Sequence, residues 1–541
     1  MLIELLLVST LMSSVLVMLA PDEYAGQFAA VLSLVPVAAS LWMYSIFDGS
    51  GNALLGGTLA FETLGEWITL GAYTINWHVG LDGVSMPLIV LTTILTTLAI
   101  ISAWTPIDER QSQFYGLVLF MEASLIGVFA ALDFFLWFVF WEAVLVPMYL
   151  LIGVWGGPRR KYAAIKFFVY TNVASLVMFV GFFALVFGLG DSISSLGMPA
   201  IAQALNTPGE LGSLAGIEPG MLKLLAFTAM FAGFAVKVPV VPFHTWLPDA
   251  HVEAPTPVSV LLAGVLLKMG TYALLRFNFT MLADVAQANA EIIAIFAVIS
   301  IIYGALLALA QQDLKRIVAY SSISSMGYVI LGLIAFTPHG VGGATFQMIS
   351  HGVISAALFL IIGVVYDRLH TREIAQYGGI VKNMPKFATI FMIMMLGSVG
   401  LPGTSGFVGE FLSLVGIFRE DTIIAALAAS GIILGAAYML LLYRNVVFGE
   451  VTNEAAAKMK DITPREFAIF TPLVALVLIL GIFPNLILHK TEASVQALVN
   501  NYEASLALTA QEIAEAETIE GMNQIRPAAG TNHAIKDEGA F

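Results

Sequence analysis

Four ionisable side chains stand in apolar runs where a bilayer would leave them no water. Lys237 closes the run Phe231 to Phe243 (FAGFAVKVPVVPF), directly before a Pro-Val-Val-Pro break. Glu142 follows Trp141 in DFFLWFVFWEAVLVPMYL, residues 133–150, and Lys268 sits in VLLAGVLLKMGTY, residues 260–272. Glu410 comes just after Leu401-Pro-Gly-Thr-Ser-Gly406. On insertion scales each such charge costs roughly 2.5–3.5 kcal/mol at a helix centre, so four of them together read as a purpose. The chemistry they offer is proton exchange. Desolvation disfavours the charged form of an acid or a base, and a neighbouring opposite charge restores it. An acid and a base that approach and separate therefore take up and release a proton. A packing role for Glu142, as a protonated carboxyl bonded to a neighbouring helix, is the plainer alternative. Snorkelling is the plainer one for Lys268, though it lies deep from both ends of its run.

His351 opens SHGVISAA, residues 350–357, within another apolar run, and reads either as a further relay group or as a hydrogen-bonded packing residue. The connector FHTWLPDAHVEAP, residues 243–255, is short, polar and proline-pinned. Its His244, Asp249, His251 and Glu253 are candidates to take protons from one surface, or equally to cap loops. Arg159, Arg160 and Lys161 look like orientation signals. Asp313, Lys315 and Arg316, like Asp461, Arg465 and Glu466, are accounted for by helix capping, ion pairs and topology.

The elements that must hold these groups are membrane spans. Of 541 residues 59% are hydrophobic and 11% charged, where a soluble protein carries nearer 25% charged. The expected fold is an all-α polytopic membrane protein. Windows long enough to cross a bilayer fall near 1–20, 27–47, 85–104, 114–133, 134–156, 164–190, 221–243, 257–275, 289–311, 317–337, 341–366, 387–417, 422–448 and 467–488, about fourteen in all. The first is apolar without a basic flank, so it reads as a span rather than a cleaved signal. Lys and Arg collect in alternate loops, whereas the loop 191–220 has none. By the positive-inside rule, both termini lie outside.

Spans four to eight and nine to thirteen form two blocks of five. An odd number of crossings turns the second block upside down, and in each block the fourth span is broken, beside Lys237 in one and Glu410 in the other. Interrupted helices at matching places in inverted halves point to a transport site. The expected organisation is three spans and an outside loop in 1–113, a first half-channel in 114–275 and a second in 276–448. An inside loop and a last span in 449–490 and a polar acidic tail in 491–541 complete it.

The chain has no cysteine, which removes iron–sulfur clusters, thiolate zinc and disulfides. Its eight histidines show no ligand spacing, so no metal site is expected, and no glycine-rich nucleotide fingerprint follows a strand. The net charge of −14 disfavours nucleic-acid binding. Any redox reaction this protein serves runs its electrons through other chains.

Several motifs are familiar as sets. FWEAVLVPMYL at 140–150, Lys237 with HTWLPDAH at 244–251, QDLKRIVAYSS at 312–322, GVVYDRLHTR at 363–372 and LPGTSGFVGEF at 401–411 resemble the antiporter-like subunits of respiratory complex I, the M branch above all. The resemblance covers nearly everything up to about residue 488. It implies a fourteen-helix proton channel in a larger prokaryotic membrane complex, with other membrane subunits as partners. Glu142, Lys237, Lys268 and Glu410 would then form the charged axis and His351 would help bridge it. Translocation would be driven by quinone reduction elsewhere, with quinone, flavin and iron–sulfur clusters in partner subunits and no redox centre in this chain. One departure stands out: Ser325 occupies a place where relatives usually carry histidine, and a serine does not titrate near neutral pH. The rival readings are a subunit of a multisubunit sodium/proton antiporter and a passive scaffold of the membrane arm.

Overall fold

A computed structural model describes the backbone of residues 1–525 except Ser50, Ala72 and Thr452, and side-chain surroundings as far as residue 507. Among the described residues twelve helices are long and apolar enough to cross a membrane, and two shorter apolar helices accompany them. In chain order the elements are α1 (Leu2–Met18), α2 (Asp22–Ile46), β1 (Ala60–Leu70), β2 (Tyr73–Leu81), α3 (Ser85–Ser102), α4 (Gln111–Ala130), α5 (Phe134–Ala143) and α6 (Leu145–Trp155). Then follow α7 (Arg160–Leu189), α8 (Met198–Leu205), α9 (Pro219–Lys237), α10 (Trp246–Glu253) and α11 (Thr256–Met281). The second half contains α12 (Ala290–Leu309), α13 (Leu314–Ile334), α14 (Pro338–Leu369), α15 (Pro385–Val399), α16 (Ser405–Glu420), α17 (Thr422–Phe448), α18 (Pro464–Ile482) and α19 (Asn485–Ile525).

Both expected breaks are present. Helix α9 ends at Lys237 itself, where two prolines at 239 and 242 remove backbone donors, and the chain turns into α10. Helix α15 stops at Gly400 in the left-handed region (φ +78°), and α16 restarts at Ser405. A Cβ on Gly406 would stand 2.0 Å from the Gly397 carbonyl, so only glycine lets the two half-helices close on each other.

The expectation of an all-helical chain needs one correction, because residues 60–81 form an antiparallel hairpin. Its alternation of Phe, Thr, Ile, Trp and Val favours strand, a signal too weak to notice beside so many helices. The hairpin is a brace. His78 gives its carbonyl to Leu132 N (2.9 Å), Thr74 bonds the 194–196 segment, and Asp133 ties Asn76 N while capping α5 through Phe135 N and Leu136 N. As far as residue 525 the tail after the last span is the long helix α19, which crosses the hairpin side and bonds through Ser494 to Asn52 and Gly83, and through Asn501 to Thr280; residues 526–541 of the expected tail lie outside the described residues.

The molecule thus has two ends. One carries the hairpin and α19. The other, here the basic face, gathers Arg159, Lys166, Arg316, Arg368 and Arg372 with the carboxylates of Asp249, Asp313 and Glu466. Between them α11 and α14 are buried throughout their apolar stretches, whereas α2, α17 and α18 leave most of theirs exposed. The two most enclosed helices are therefore those carrying Lys268 and His351.

Candidate functional site

Lys237 and Glu142 meet where α5 and α9 both end. The ammonium of Lys237 lies 3.8 Å from the centre of the Trp141 ring and 3.4 Å from the Trp141 carbonyl. Glu142 acts electrostatically on it, yet the two form no direct salt bridge. One Glu142 oxygen accepts from Asn172 Nδ2 (3.3 Å) and the other has no partner. The Trp141 ring, not the carboxylate, is what the ammonium rests against. Lys237 is buried, whereas Glu142 is only part-buried.

Lys268 is wholly buried and donates to Nδ1 of His351 (2.7 Å) and to the Ala263 carbonyl (2.5 Å). Two local devices make this possible. The segment Leu262–Leu266, just before Lys268, is wound as a π-helix, a form frequent at functional sites. Gly264 of α11 also faces Gly352 of α14, and a Cβ on Gly352 would sit 2.8 Å from the Gly264 carbonyl. This bare crossing brings Lys268 within reach of the residue next to Gly352. A second glycine, Gly270, lets α11 press against the helix break, since its Cβ would lie 2.8 Å from Val238 N. The helices bearing Lys237 and Lys268 therefore touch at the interruption.

Glu410 is buried beneath the second break, where a Cβ on Gly400 would be 3.2 Å from its Oε2, and it accepts from Gln347 Nε2 at 3.3 Å. Tyr328 and Tyr438 feel its charge. Gln347 and His351 are four residues apart on α14, on one face. Ser350 bonds Ser405 across the same seam at 2.9 Å. The five candidates thus lie in order from α5 through α9, α11 and α14 to α16, with polar neighbours at each step. Ser325 is part-buried on α13.

The connector behaves unevenly. Asp249 is taken up in ion pairs with Lys166 (2.7 Å) and Arg316 (3.9 Å), and Glu253 holds the turn before α7 through Arg159 N (2.8 Å). His244 is near the rim, its ring against Tyr303, and burial followed by the charge of Lys166 keeps it more often neutral than a free histidine. His251 is fully enclosed, with neither ring nitrogen bonded. Burial above all, then Lys315 and Lys268, holds its imidazole well below the usual range.

Three buried groups escaped the sequence reading. Glu122 of α4 is wholly enclosed with both oxygens unpartnered. It could have been found as a lone acid in GLVLFMEASLIGVF, residues 116–129. Arg276 and Asp82 form a fully buried salt bridge at 2.7 Å. Asp82 also receives Ala53 N, Val84 N and Ser85 N. Burial alone would raise the Asp82 carboxyl, but Arg276 and these donors outweigh it and hold it below the ordinary value. Lys315, expected to be a topology signal, is buried as well.

Fold and site together define a class: a polytopic membrane subunit whose core is threaded by acids and bases beside interrupted helices. Residues 131–435 match the family model described as NADH:quinone oxidoreductase/Mrp antiporter, TM. The chain is 46% identical to NADH-quinone oxidoreductase subunit M of Rhodobacter capsulatus, over 91% of this chain and 94% of that one. Among solved structures, a chain of respiratory complex I from Thermus thermophilus superposes with a TM-score of 0.79 at 29% identity, covering 92% of this chain and 100% of that one. A chain of the Mrp complex from a Dietzia species shares the fold, with a TM-score of 0.78 at 21% identity over 93% and 99% of the two chains. This protein belongs to the NADH:quinone oxidoreductase/Mrp antiporter transmembrane family, and within it the curated similarity runs to subunit M.

Proposed function

We propose that this chain is the proton-translocating membrane subunit of a complex I-type NADH–quinone oxidoreductase, working through Glu142, Lys237, Lys268, His351 and Glu410. The observation that carries this is the Lys268–His351 contact, a base bonded to a base in the most enclosed part of the fold. Two neutral bases, or one sharing a proton with the other, avoid the cost of two buried like charges. A proton added there has an occupied site and a vacant neighbour. Closing Lys237 onto Glu142 would favour the charged forms of both, and opening would release the proton towards Lys268. Across α14 the seam of Ser350, Ser405 and Gln347 leads on to Glu410.

The basic face is assigned to the inside of a prokaryotic cell membrane by the positive-inside rule, which puts both ends of the chain on the hairpin side. The two broken helices beside single charges support reading 114–275 and 276–448 as inverted half-channels. Flavin, clusters and quinone are assigned to partner chains. The sequence has no thiolate, and among the described residues no group of three His, Asp or Glu is placed to hold a metal.

The test is proton uptake into membrane vesicles carrying Lys237→Ala or Glu410→Ala, measured beside quinone reduction. Loss of uptake in an assembled complex is expected. Uptake at the parent rate in both variants would leave only the scaffold role. Uptake that required sodium would favour the antiporter.

A further inference from the structure

Lys315 is the feature the axis does not absorb. It lies in the first turn of α13 on the basic face, where a lysine has water close by, yet it is only 3% exposed. Its ammonium donates to the Ala254 carbonyl at 2.7 Å, at the end of α10. The charged groups that act on it are Arg372, Asp313, Glu253 and Asp367. None of the three carboxylates forms a salt bridge with it: Asp313 is bonded to Arg372 (3.2 Å), and Glu253 caps the turn before α7. An orientation signal would reach solvent instead. Beside Asp367, between α11, α14 and α18, lies a cavity of about 30 Å³ whose lining includes Thr256, Arg465 and Glu466. Mixed apolar and polar side chains line it, and it is large enough for a water molecule.

His251 stands three residues before Ala254, whose carbonyl Lys315 holds. Its ring lies flat on Phe359 of α14, 4.3 Å between centres and 12° between planes, and neither nitrogen has a partner although the residue is fully enclosed. Buried polar atoms without partners call for an explanation such as water or a transferable proton. The lysines on both sides of it, Lys315 and Lys268, act on this ring, and it in turn acts on His351. His351 and Phe359 are eight residues apart on α14, or about 12 Å along the helix. Two buried hydroxyls line that interval. Ser355 lies midway on α14, and Ser259 of α11 donates to the His251 carbonyl at 3.3 Å.

Resting on the proton-channel reading above, we propose that Lys315 is a further proton carrier, loading the Lys268–His351 pair from the basic face by way of His251. The Lys315 ammonium gives a proton to the free lone pair of the neutral His251 ring. The ring releases the proton of its other nitrogen along Ser259 and Ser355, and the Lys315 amine is recharged from water on the basic face. Only protons move, and each donor returns to its starting form.

Arginine keeps the positive charge but does not release its proton at neutral pH, so it separates a carrier from a fixed cation. Complexes carrying Lys315→Arg, Lys315→Met and Lys315→His are compared in vesicles for assembly, quinone reduction and proton uptake per electron. Lys315→Arg and Lys315→Met are expected to assemble and to lose uptake by roughly a hundredfold, the scale of a positioned proton-transfer group, while Lys315→His recovers part of it. Should Lys315→Met not assemble, the Arg and His variants decide between themselves. Parent-rate uptake by Lys315→Arg overturns the proposal, for the lysine is then only a charge. Glu410→Ala in the same series keeps the two readings apart: loss there with a normal Lys315→Arg sinks this inference alone, and normal uptake there sinks the channel.

Discussion

At the scale of single residues, geometry separates charges with an open partner position from those that are locked. Glu142 has one oxygen on Asn172 and one with no partner, and Lys237 sits on an indole within reach of it. Asp249, by contrast, is pinned by two cations. Glu142→Gln keeps the shape and the bond to Asn172 but cannot hold a transferable proton. It is expected to leave the complex assembled and abolish proton uptake, as measured by a pH dye in vesicles. Uptake that survived would mean that Glu142 packs and does not relay. The Asp82–Arg276 pair is a different case, since removing one partner of a buried salt bridge costs about 3–5 kcal/mol. Asp82→Asn should lower the temperature at which the solubilised complex unfolds. The sign with pH follows from the depressed Asp82 carboxyl: its stabilisation is present above the unfolded value of about 3.9 and is lost as pH falls through the lower folded value.

At the scale of elements, bare backbone crossings decide which charges meet. Gly264 against Gly352 draws α11 onto α14, and Gly270 draws α11 onto the break after Lys237. Besides the Leu91 and Val238 side chains, a Cβ on Gly352 would meet the Gly264 carbonyl and one on Gly270 the Val238 amide, backbone atoms that cannot swing aside. Gly352→Val is expected to separate the helices and stretch the Lys268–His351 contact. Overpacking of this kind costs typically about 1–3 kcal/mol, so the fold should persist while proton uptake falls. An assembled variant that pumps normally would show that the contact is not needed. The pattern of glycines is visible in the sequence, yet which of 48 glycines faces another helix is not.

At the scale of the whole molecule, the chain is a low-polarity bundle clamped at one end by a hairpin and a long helix. Residues 52, 83 and 280 all bond to α19. That clamp ties the first and middle thirds of the chain to the last. Among the described residues the basic end has no such strap. It is closed by Arg368 on Glu466 (2.8 Å) and Arg372 on Asp313 (3.2 Å), with the Lys315 and His251 groups just beneath.

The number and order of spans, both breaks and the presence of ionisable groups within the spans were legible in the amino-acid order. Each rests on a local quantity: the hydropathy of a window, the loss of a backbone donor at proline, the expense of a charge without water. The hairpin, the ordered helix after the last span and the burial of Lys315 were not legible, because they depend on what other segments cover. A lysine at a helix start is an ordinary surface charge until α10 and α14 close over it, and only the folded packing brings them there.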